Sequence, residues 1–299
     1  MTTLTPETRE PQRLRMSGLH MFTLIAGVLA TAGSHRLFED IDYLWWGVAA
    51  LVAGIALILV GAMGLGRSIR TAPIERGPIE PAGYPTQLEG RLDPALSRGM
   101  WLVKWLLAFP HYIVLAILWA AFPVVVLASG IMILFTGRYP AALFEFVVGV
   151  LRWNWRVVFY ATGVLATDQY PPFTLARTAF PATFDVAYPD RLSRWKVLIK
   201  SWLLALPHLI IVGILAGLLW VFSDGPGIGG LVGLLVFIAA IGLLFTGGYN
   251  RGLFDLVMGI HRWIYRVYAY TSLLRDEYPP FRLDQGPLES RVQAAASTD

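Results

Sequence analysis

Long apolar runs separated by short polar segments dominate this sequence. The first run lies between Arg15 and Arg36, and the second extends from Tyr43 to Gly66. Each is close to the roughly 20 residues that a helix needs to cross a hydrocarbon core. A brief acidic loop separates the two runs. The pattern therefore predicts an N-terminal transmembrane hairpin over residues 1–70.

The first run also has features of a signal peptide. Three arginines precede it, and Ala30-Thr31-Ala32 fits a small-residue cleavage site, so cleavage near residue 32 is the alternative. The run is somewhat long for a signal, however, and a second apolar run follows closely. A retained hairpin is the simpler interpretation.

Residues 71–95 are rich in Pro and Gly and carry several arginines, which predicts a cytoplasmic linker. After the linker the chain repeats itself. Three motifs occur twice: Trp105 to His111 and Trp202 to His208, Phe135-Thr136-Gly137 and Phe245-Thr246-Gly247, and Tyr-Pro-Pro-Phe at 170–173 and 278–281. We assign repeat 1 to residues 96–176, repeat 2 to residues 177–284, and a disordered tail to residues 285–299.

Each repeat is expected to begin with a membrane hairpin. In repeat 2 a turn sequence, Asp224-Gly-Pro-Gly227, divides the apolar run into two spans. Repeat 1 is shorter and offers only Phe122-Pro123 as a break, so residues 101–136 cross either twice or once with an interfacial lead-in. Basic residues flank both ends of this run, which favours two crossings with both ends in the cytoplasm. The two repeats would then run in the same direction.

A helix rich in arginine and tryptophan follows each predicted hairpin, at residues 141–166 and 251–274. Its acid, its glycine and its two arginines are spaced to share one helical face. Burying two arginines in hydrocarbon would cost at least about 2.5 kcal/mol each, so we expect these helices to lie along the headgroup boundary. The candidate residues for binding headgroups or a partner are Glu145, Arg152, Trp153, Arg156, Asp255, Arg262, Trp263 and Arg266.

The same polar positions have a purely structural interpretation. The stripe would then be a solvated face with an ion pair between Glu145 and Arg152, or between Asp255 and Arg262. His111 and His208, which follow prolines, are intramembrane polar candidates that either bind a ligand or bond a backbone carbonyl freed at the kink. Neither histidine has a partner at metal-ligand spacing. We therefore predict no metal site.

Taken together, the elements predict an all-α integral membrane protein. It would have about six transmembrane helices arranged as hairpins, plus two interfacial amphipathic helices, with both termini in the cytoplasm. Short segments with turn residues at 84–92, 173–176, 183–187 and 281–284 predict a small cytoplasmic sheet.

Composition agrees with a membrane protein. Apolar residues make up 56% of the chain, charged residues 15%, and the mean hydropathy is +0.58. There is no cysteine, which excludes disulfides and thiolate sites. The basic residues lie beside predicted spans, where the positive-inside rule accounts for them, so the pI near 9.4 does not indicate nucleic acid. No nucleophile elbow, phosphate loop or dinucleotide motif occurs, so we predict no catalytic residue and no cofactor.

The repeated signature is Phe-Thr-Gly-x-Tyr, Leu-Phe-acid, Gly-x-x-Arg-Trp-x-x-Arg-Val and Tyr-Pro-Pro-Phe. It resembles a bacterial membrane family, the domain of unknown function DUF4389, in two copies over about residues 84–284. Repeat 2 departs from repeat 1 where Gly248-Tyr249-Asn250 replaces Arg138-Tyr139-Pro140. A role for that arginine or proline is therefore not common to both copies. The resemblance implies a membrane fold and no particular activity.

These observations support three functional hypotheses. The first is a non-enzymatic protein of the bacterial inner membrane, an assembly, scaffolding or accessory subunit that contacts anionic lipid headgroups or a membrane partner. The second is a small carrier or channel with a pathway between the repeats, near His111 and His208. The third is a lipid-handling membrane enzyme, for which no acid and base pair is discernible.

Overall fold

The computed structural model describes residues 18–37, 43–70, 84–216 and 230–284. Most of the described chain is helical, and one two-stranded sheet is present, which confirms the main features of the predicted fold class. The helices are α1 (Gly18–Leu37), α2 (Leu44–Arg70), α3 (Trp101–Leu107), α4 (Phe109–Thr136), α5 (Ala141–Val157), α6 (Arg194–Ile199), α7 (Leu206–Ala216), α8 (Leu231–Thr246) and α9 (Arg251–Thr271). The strands are β1 (Thr86–Gly90) and β2 (Ala182–Val186), and π-helical turns occupy Val158–Thr162 and Lys200–Leu204.

Helices α1 and α2 pack closely through glycines. A Cβ atom added at Gly27 would lie 2.7 Å from the carbonyl oxygen of Gly54, so the two backbones approach where only glycine fits. The end of α2 then packs on α5: a Cβ atom at Gly66 would lie 1.7 Å from the carbonyl oxygen of Ala142. The N-terminal helix pair is therefore joined to repeat 1 by close helix packing.

Among the described residues, two helices are long and apolar enough to cross a membrane, Leu44–Ile69 and Phe109–Thr136. A third exists if Arg194–Leu204 and Leu206–Leu215, which meet at a bend of 41°, count as one broken span. This supports membrane association, whereas six spans are not confirmed. Four predicted features lie outside the described residues in part or in full. The signal-peptide alternative lies partly outside them and the linker mostly, whereas the Asp224–Gly227 turn and the C-terminal tail lie wholly outside them.

The expected hairpin in repeat 1 is wrong, because α4 is one continuous helix of 28 residues. Pro110 lies in its first turn, where the missing N–H would be unpaired in any case. Pro123 lies inside the helix without breaking it. Gly137 ends α4 in the left-handed conformation at φ 69°, and Gly247 ends α8 in the same way at φ 74°. The repeated Phe-Thr-Gly motif is thus a helix C-terminal cap.

Strands β1 and β2 pair in antiparallel fashion, with Leu88 opposite Phe184 at the centre. These two residues are equivalent, since each precedes its Leu-Ser-Arg motif by the same distance along the chain. The pair is therefore symmetric about its own centre, and each repeat includes the strand that precedes it. The prediction of strands at 84–92 and 183–187 is confirmed.

The other two predicted strands are wrong: residues 173–176 and 281–284 have no strand structure. The carbonyl groups of Thr174, Leu175 and Ala176 accept hydrogen bonds from arginine side chains instead of pairing with a strand. Guanidinium groups thus donate the hydrogen bonds that these backbone carbonyls would otherwise accept from a neighbouring strand.

A π-helical turn absorbs the one extra residue of repeat 2, Ser201. In repeat 1 the amide of Ala108 donates to the carbonyl of Lys104 over 2.9 Å, four residues back. In repeat 2 the amide of Ala205 donates to the carbonyl of Lys200 over 3.1 Å, five residues back. The wider turn keeps the lysine and the histidine that follows it in equivalent positions, as π-bulges do.

Helices α5 and α9 form the interior of the molecule, so the interfacial position predicted for them is wrong. On α5, Trp153 and Trp155 are 0% exposed. The large exposed apolar side chains lie on other helices: Trp105 on α3, Phe135 at the end of α4 and Phe245 at the end of α8. The apolar surface that suits lipid is therefore on the helices that precede each Phe-Thr-Gly turn.

Candidate functional site

The arginines of α5 bind protein, not solvent. Arg152 donates from Nε to the carbonyl of Phe184 over 2.9 Å, from Nη1 to the carbonyl of Leu175 over 2.8 Å, and from Nη2 to the carboxylate of Asp185 over 3.1 Å. Arg156 donates to the carbonyl of Thr174 over 2.9 Å. Each buried charge is compensated by carbonyl dipoles and, for Arg152, by an ion pair.

The arginines of α9 repeat this arrangement. Arg262 donates from Nε to the carbonyl of Leu88 over 2.9 Å, and it also bonds the carbonyl of Asp284. Arg266 pairs with the carboxylate of Asp284. Since Leu88 and Phe184 are equivalent, α5 of repeat 1 holds the strand of repeat 2, and α9 of repeat 2 holds the strand of repeat 1. The two repeats are therefore interlocked by this exchange.

The expectation that these four arginines face lipid phosphates is wrong. Arg152, Arg156, Arg262 and Arg266 are 2%, 1%, 0% and 1% exposed. The solvated face of the structural interpretation is wrong for the same reason, and the ion-pair partner of Arg152 is Asp185, which lies on a strand distant in sequence. Glu145 and Asp255 remain partly exposed, in the first half of their helices.

Asp185 holds two arginines at once. Arg177, which is partly exposed, also pairs with its carboxylate. Burial opposes the ionisation of Asp185, but the charges of Arg152 and Arg177 outweigh it and lower the pKa of the carboxyl group below its usual range. The carboxylate is therefore ionised at neutral pH and joins β2 to α5.

The two histidines occupy equivalent aromatic sites. Nδ1 of His111 accepts a hydrogen bond from Nε1 of Trp153 over 3.0 Å, and His208 accepts one from Trp263 over the same distance. Each imidazole stacks on the phenylalanine of its Tyr-Pro-Pro-Phe motif, with ring centroids 3.9 Å apart for Phe173 and 4.1 Å apart for Phe281. Because a tryptophan N–H only donates, Nδ1 is unprotonated and the rings are neutral. Trp153 and Trp263 are thus partners of the histidines.

A buried lysine and an aspartate join the beginning of repeat 1 to its end. Nζ of Lys104 lies 2.8 Å from Asp168 and 2.8 Å from the carbonyl of Thr167, and it lies over the ring of Tyr160. Asp168 also accepts the backbone N–H of Ser97 over 2.7 Å. This network ties the Leu-Ser-Arg motif to the Tyr-Pro-Pro-Phe motif.

Repeat 2 is joined in the same way. Lys200 lies 2.9 Å from Asp276, which accepts the N–H of Ser193 over 2.6 Å, and the lysine lies over the ring of Tyr270. Sequence reasoning missed both pairs because it used the lysines only for topology. The available indication was an aspartate two residues before each Tyr-Pro-Pro-Phe.

Two exposed arginines, Arg98 and Arg194, lie beside the Phe-Thr-Gly turns. We define turn 1 as Phe135–Arg138 with Arg194, and turn 2 as Phe245–Gly248 with Arg98. A Cβ atom at Gly137 would lie 3.6 Å from Nε of Arg194, and one at Gly247 would lie 2.6 Å from Nε of Arg98. Each turn therefore receives its arginine from the other repeat. Both arginines are exposed.

Each turn also carries an exposed aromatic ring. Phe135 is 78% exposed and Phe245 is 77% exposed. Within the described residues, Arg98 and Arg194 form no hydrogen bond or ion pair with the protein through their side chains.

Among the residues that the structure describes, no group of three or more acidic, histidine or cysteine side chains could hold a metal ion. The candidate site on the described chain is the pair of basic, aromatic turns.

Comparison with known proteins identifies a domain but not an activity. The family model described as "Domain of unknown function (DUF4389)" matches residues 98–174 and 228–282, which is consistent with two copies and confirms the resemblance. No curated protein and no solved structure matches the chain significantly.

Proposed function

We propose that this protein, in which two segments match the domain, is a non-enzymatic membrane scaffold that binds anionic lipid headgroups at turns 1 and 2. The observation that carries this proposal is the exchange of Arg98 and Arg194, each placed beside the Phe-Thr-Gly turn of the other repeat. Headgroup binding at a turn would then act on both repeats at once. We place the protein in the bacterial inner membrane, as a scaffolding or accessory subunit.

The chemistry of each turn fits the membrane boundary. An exposed phenylalanine enters the acyl region, while a nearby guanidinium binds phosphate oxygens with two parallel donors. A basic side chain near an anionic surface gains about 1 kcal/mol. The buried arginines of α5 and α9 cannot contribute, since their donors are directed at carbonyls and carboxylates of the protein.

The surrounding surface is consistent with this position. Trp105 is 58% exposed and Trp202 is 62% exposed, and each lies in the short helical segment that leads into its repeat. Tryptophan is enriched where a membrane meets water. These side chains would hold α3 and the π-helical turn after α6 at the same membrane–water boundary as the arginines.

The carrier hypothesis receives less support. It relied on His111 and His208, but both rings are 0% exposed and stack on phenylalanines. Along the described chain, these histidines face aromatic rings and not an open path.

Lipid retention tests the proposal. The full chain is purified in mild detergent, incubated with phosphatidylglycerol or phosphatidylcholine, and analysed by native mass spectrometry. We expect preferential retention of phosphatidylglycerol by the unmodified chain and loss of that preference in the Arg98→Gln, Arg194→Gln double variant.

Arg91→Gln is the matched control, because Arg91 is exposed but follows β1 and is not part of either turn. It removes one positive charge at another place and should leave the preference intact. Equal retention of both lipids by the unmodified chain, or an unchanged preference in the double variant, would contradict the proposal.

A further inference from the structure

The two repeats differ in what covers their central helix. In repeat 1, α2 packs on α5: Gly66 meets Ala142, and a Cβ atom at Gly149 would lie 3.1 Å from the side chain of Ile69. Ala142 and Gly149 are two turns apart on one face of α5. This face of α5 is thus the surface on which the apolar helix α2 packs.

Within the described residues, the equivalent face of α9 is open at its first two turns. Gly252 corresponds to Ala142, and among these residues a Cβ atom added there would meet only the side chain of Asn250, at 3.4 Å. Leu256 corresponds to Phe146; Phe146 is 0% exposed, whereas Leu256 is only partly buried. No described helix occupies on α9 the place that α2 occupies on α5.

The open face keeps the features that suit helix packing. Gly252 is smaller than Ala142 and permits a backbone approach at least as close. Asp255 corresponds to Glu145 and, within the described residues, forms no hydrogen bond or ion pair through its side chain. The face therefore offers a small residue, a carboxylate and an apolar side chain within its first two turns.

We propose that the first two turns of α9 bind a transmembrane helix of a partner membrane protein. The chemistry of α2 defines this helix: it is apolar, it has a glycine at the crossing point, and a basic residue follows that glycine, as Arg67 follows Gly66. The basic residue would face Asp255. This inference goes beyond headgroup binding and does not depend on it.

A second copy of the chain is the less suitable occupant. All the glycines of α2, from Gly47 to Gly66, are already buried, and its outward face carries bulky residues such as Trp45 and Val52. The α2 helix of another copy would therefore present no glycine to Gly252. A partner helix with a free glycine fits better.

Photocrosslinking with a defined probe tests the proposal. The full chain, with a benzophenone amino acid in place of Leu256, is reconstituted in phosphatidylcholine vesicles with a peptide of the α2 sequence, residues 44–70. The uncharged lipid separates this test from headgroup binding. We expect the peptide to crosslink at position 256 in clear excess over position 237, since Phe237 is 57% exposed on α8 and serves as the lipid-facing control.

Two further variants establish specificity. Gly66→Leu in the peptide and Gly252→Leu in the full chain each place a bulky side chain at the crossing point, and each should lower the yield about tenfold. Among the described residues, a Cβ atom at Gly252 would make only a van der Waals contact with the side chain of Asn250, so the substitution should not disturb folding.

Three results would overturn the proposal. These are equal yields at positions 256 and 237, unchanged yields with the leucine variants, or a crosslinked dimer of the full chain that forms at position 256 without peptide. The last result would assign the face to self-association.

Discussion

The indole N–H of Trp153 donates a hydrogen bond to Nδ1 of His111 over 3.0 Å, joining the middle of α5 to the first turn of α4. Trp263 and His208 form the same bond in repeat 2. The tryptophan that suggested a membrane anchor and the histidine that suggested a ligand site are therefore partners of each other. Both belong to the internal framework of a repeat.

Loss of this bond should destabilise the protein. Trp153→Phe keeps an aromatic ring but leaves a buried imidazole nitrogen without its donor, which costs about 1–3 kcal/mol. The measurement is the free energy of unfolding in mixed micelles. Trp105→Phe is the control, because Trp105 is 58% exposed and bonds only within its own helix. A cost for Trp153→Phe no larger than that of the control would contradict the role of the bond.

Substitution by glutamine should lower stability at Arg152 and lipid preference at Arg98. Arg152→Gln removes one partner of a buried ion pair and should cost about 3–5 kcal/mol of stability. Arg98→Gln alters an exposed side chain, so its stability should change by less than about 0.5 kcal/mol while lipid preference weakens. Unfolding and lipid retention are measured on both variants. A stable Arg152→Gln protein with altered lipid binding would reverse the assignment.

Acid should weaken the contact between β2 and α5. The folded-state pKa of Asp185 lies below the usual range of an aspartate, so its ionised form stabilises the fold above that range, and this contribution is lost as the pH falls through the lower folded-state value. The test compares unfolding midpoints across the acid range for the unmodified chain and for Asp185→Asn. The difference in unfolding midpoint between the unmodified chain and Asp185→Asn should become smaller as the pH falls. Asp190→Asn, at an exposed position, controls for general charge effects.

The π-helical turn of repeat 2 should tolerate removal of its extra residue. Deleting Ser201 restores the spacing of repeat 1, so Lys200 and His208 should keep Asp276 and Trp263 as partners, with a stability change of about 1 kcal/mol or less. Deleting Leu106 in repeat 1 instead rotates Lys104 by about 100° relative to α4. Thermal unfolding should separate the two deletions clearly. Equal losses would show that the π turn does not act as an adaptable insert.

The glycines that end α4 and α8 should differ in their effect on lipid binding. Gly137→Ala and Gly247→Ala both force alanine into a left-handed conformation, at a cost of about 1–2 kcal/mol. At Gly247 the new methyl group would also displace Arg98, whereas at Gly137 it would make ordinary contact with Arg194. We therefore expect Gly247→Ala to weaken phosphatidylglycerol retention more. An equal effect of both variants would indicate that the position of Arg98 is not important.

The sequence predicted the features that depend on local composition and repetition. The apolar runs predicted helices suited to a membrane, the duplicated motifs predicted two equivalent units, and short segments with turn residues predicted the strands at 84–92 and 183–187. These features follow from hydrophobicity and backbone preference, which short segments carry by themselves. The family match agrees with the two units.

Only the tertiary structure decided which polar side chains are buried. The helical spacing of Arg152 and Arg156 was visible in the sequence, but their acceptors are carbonyls of Phe184, Thr174 and Leu175, and backbone carbonyls have no sequence signature. The exchange of Arg98 and Arg194 between repeats likewise depends on how the strands pair and how far α4 extends. Periodicity shows that residues share a face, but the partners that cover the face determine whether it meets lipid or protein.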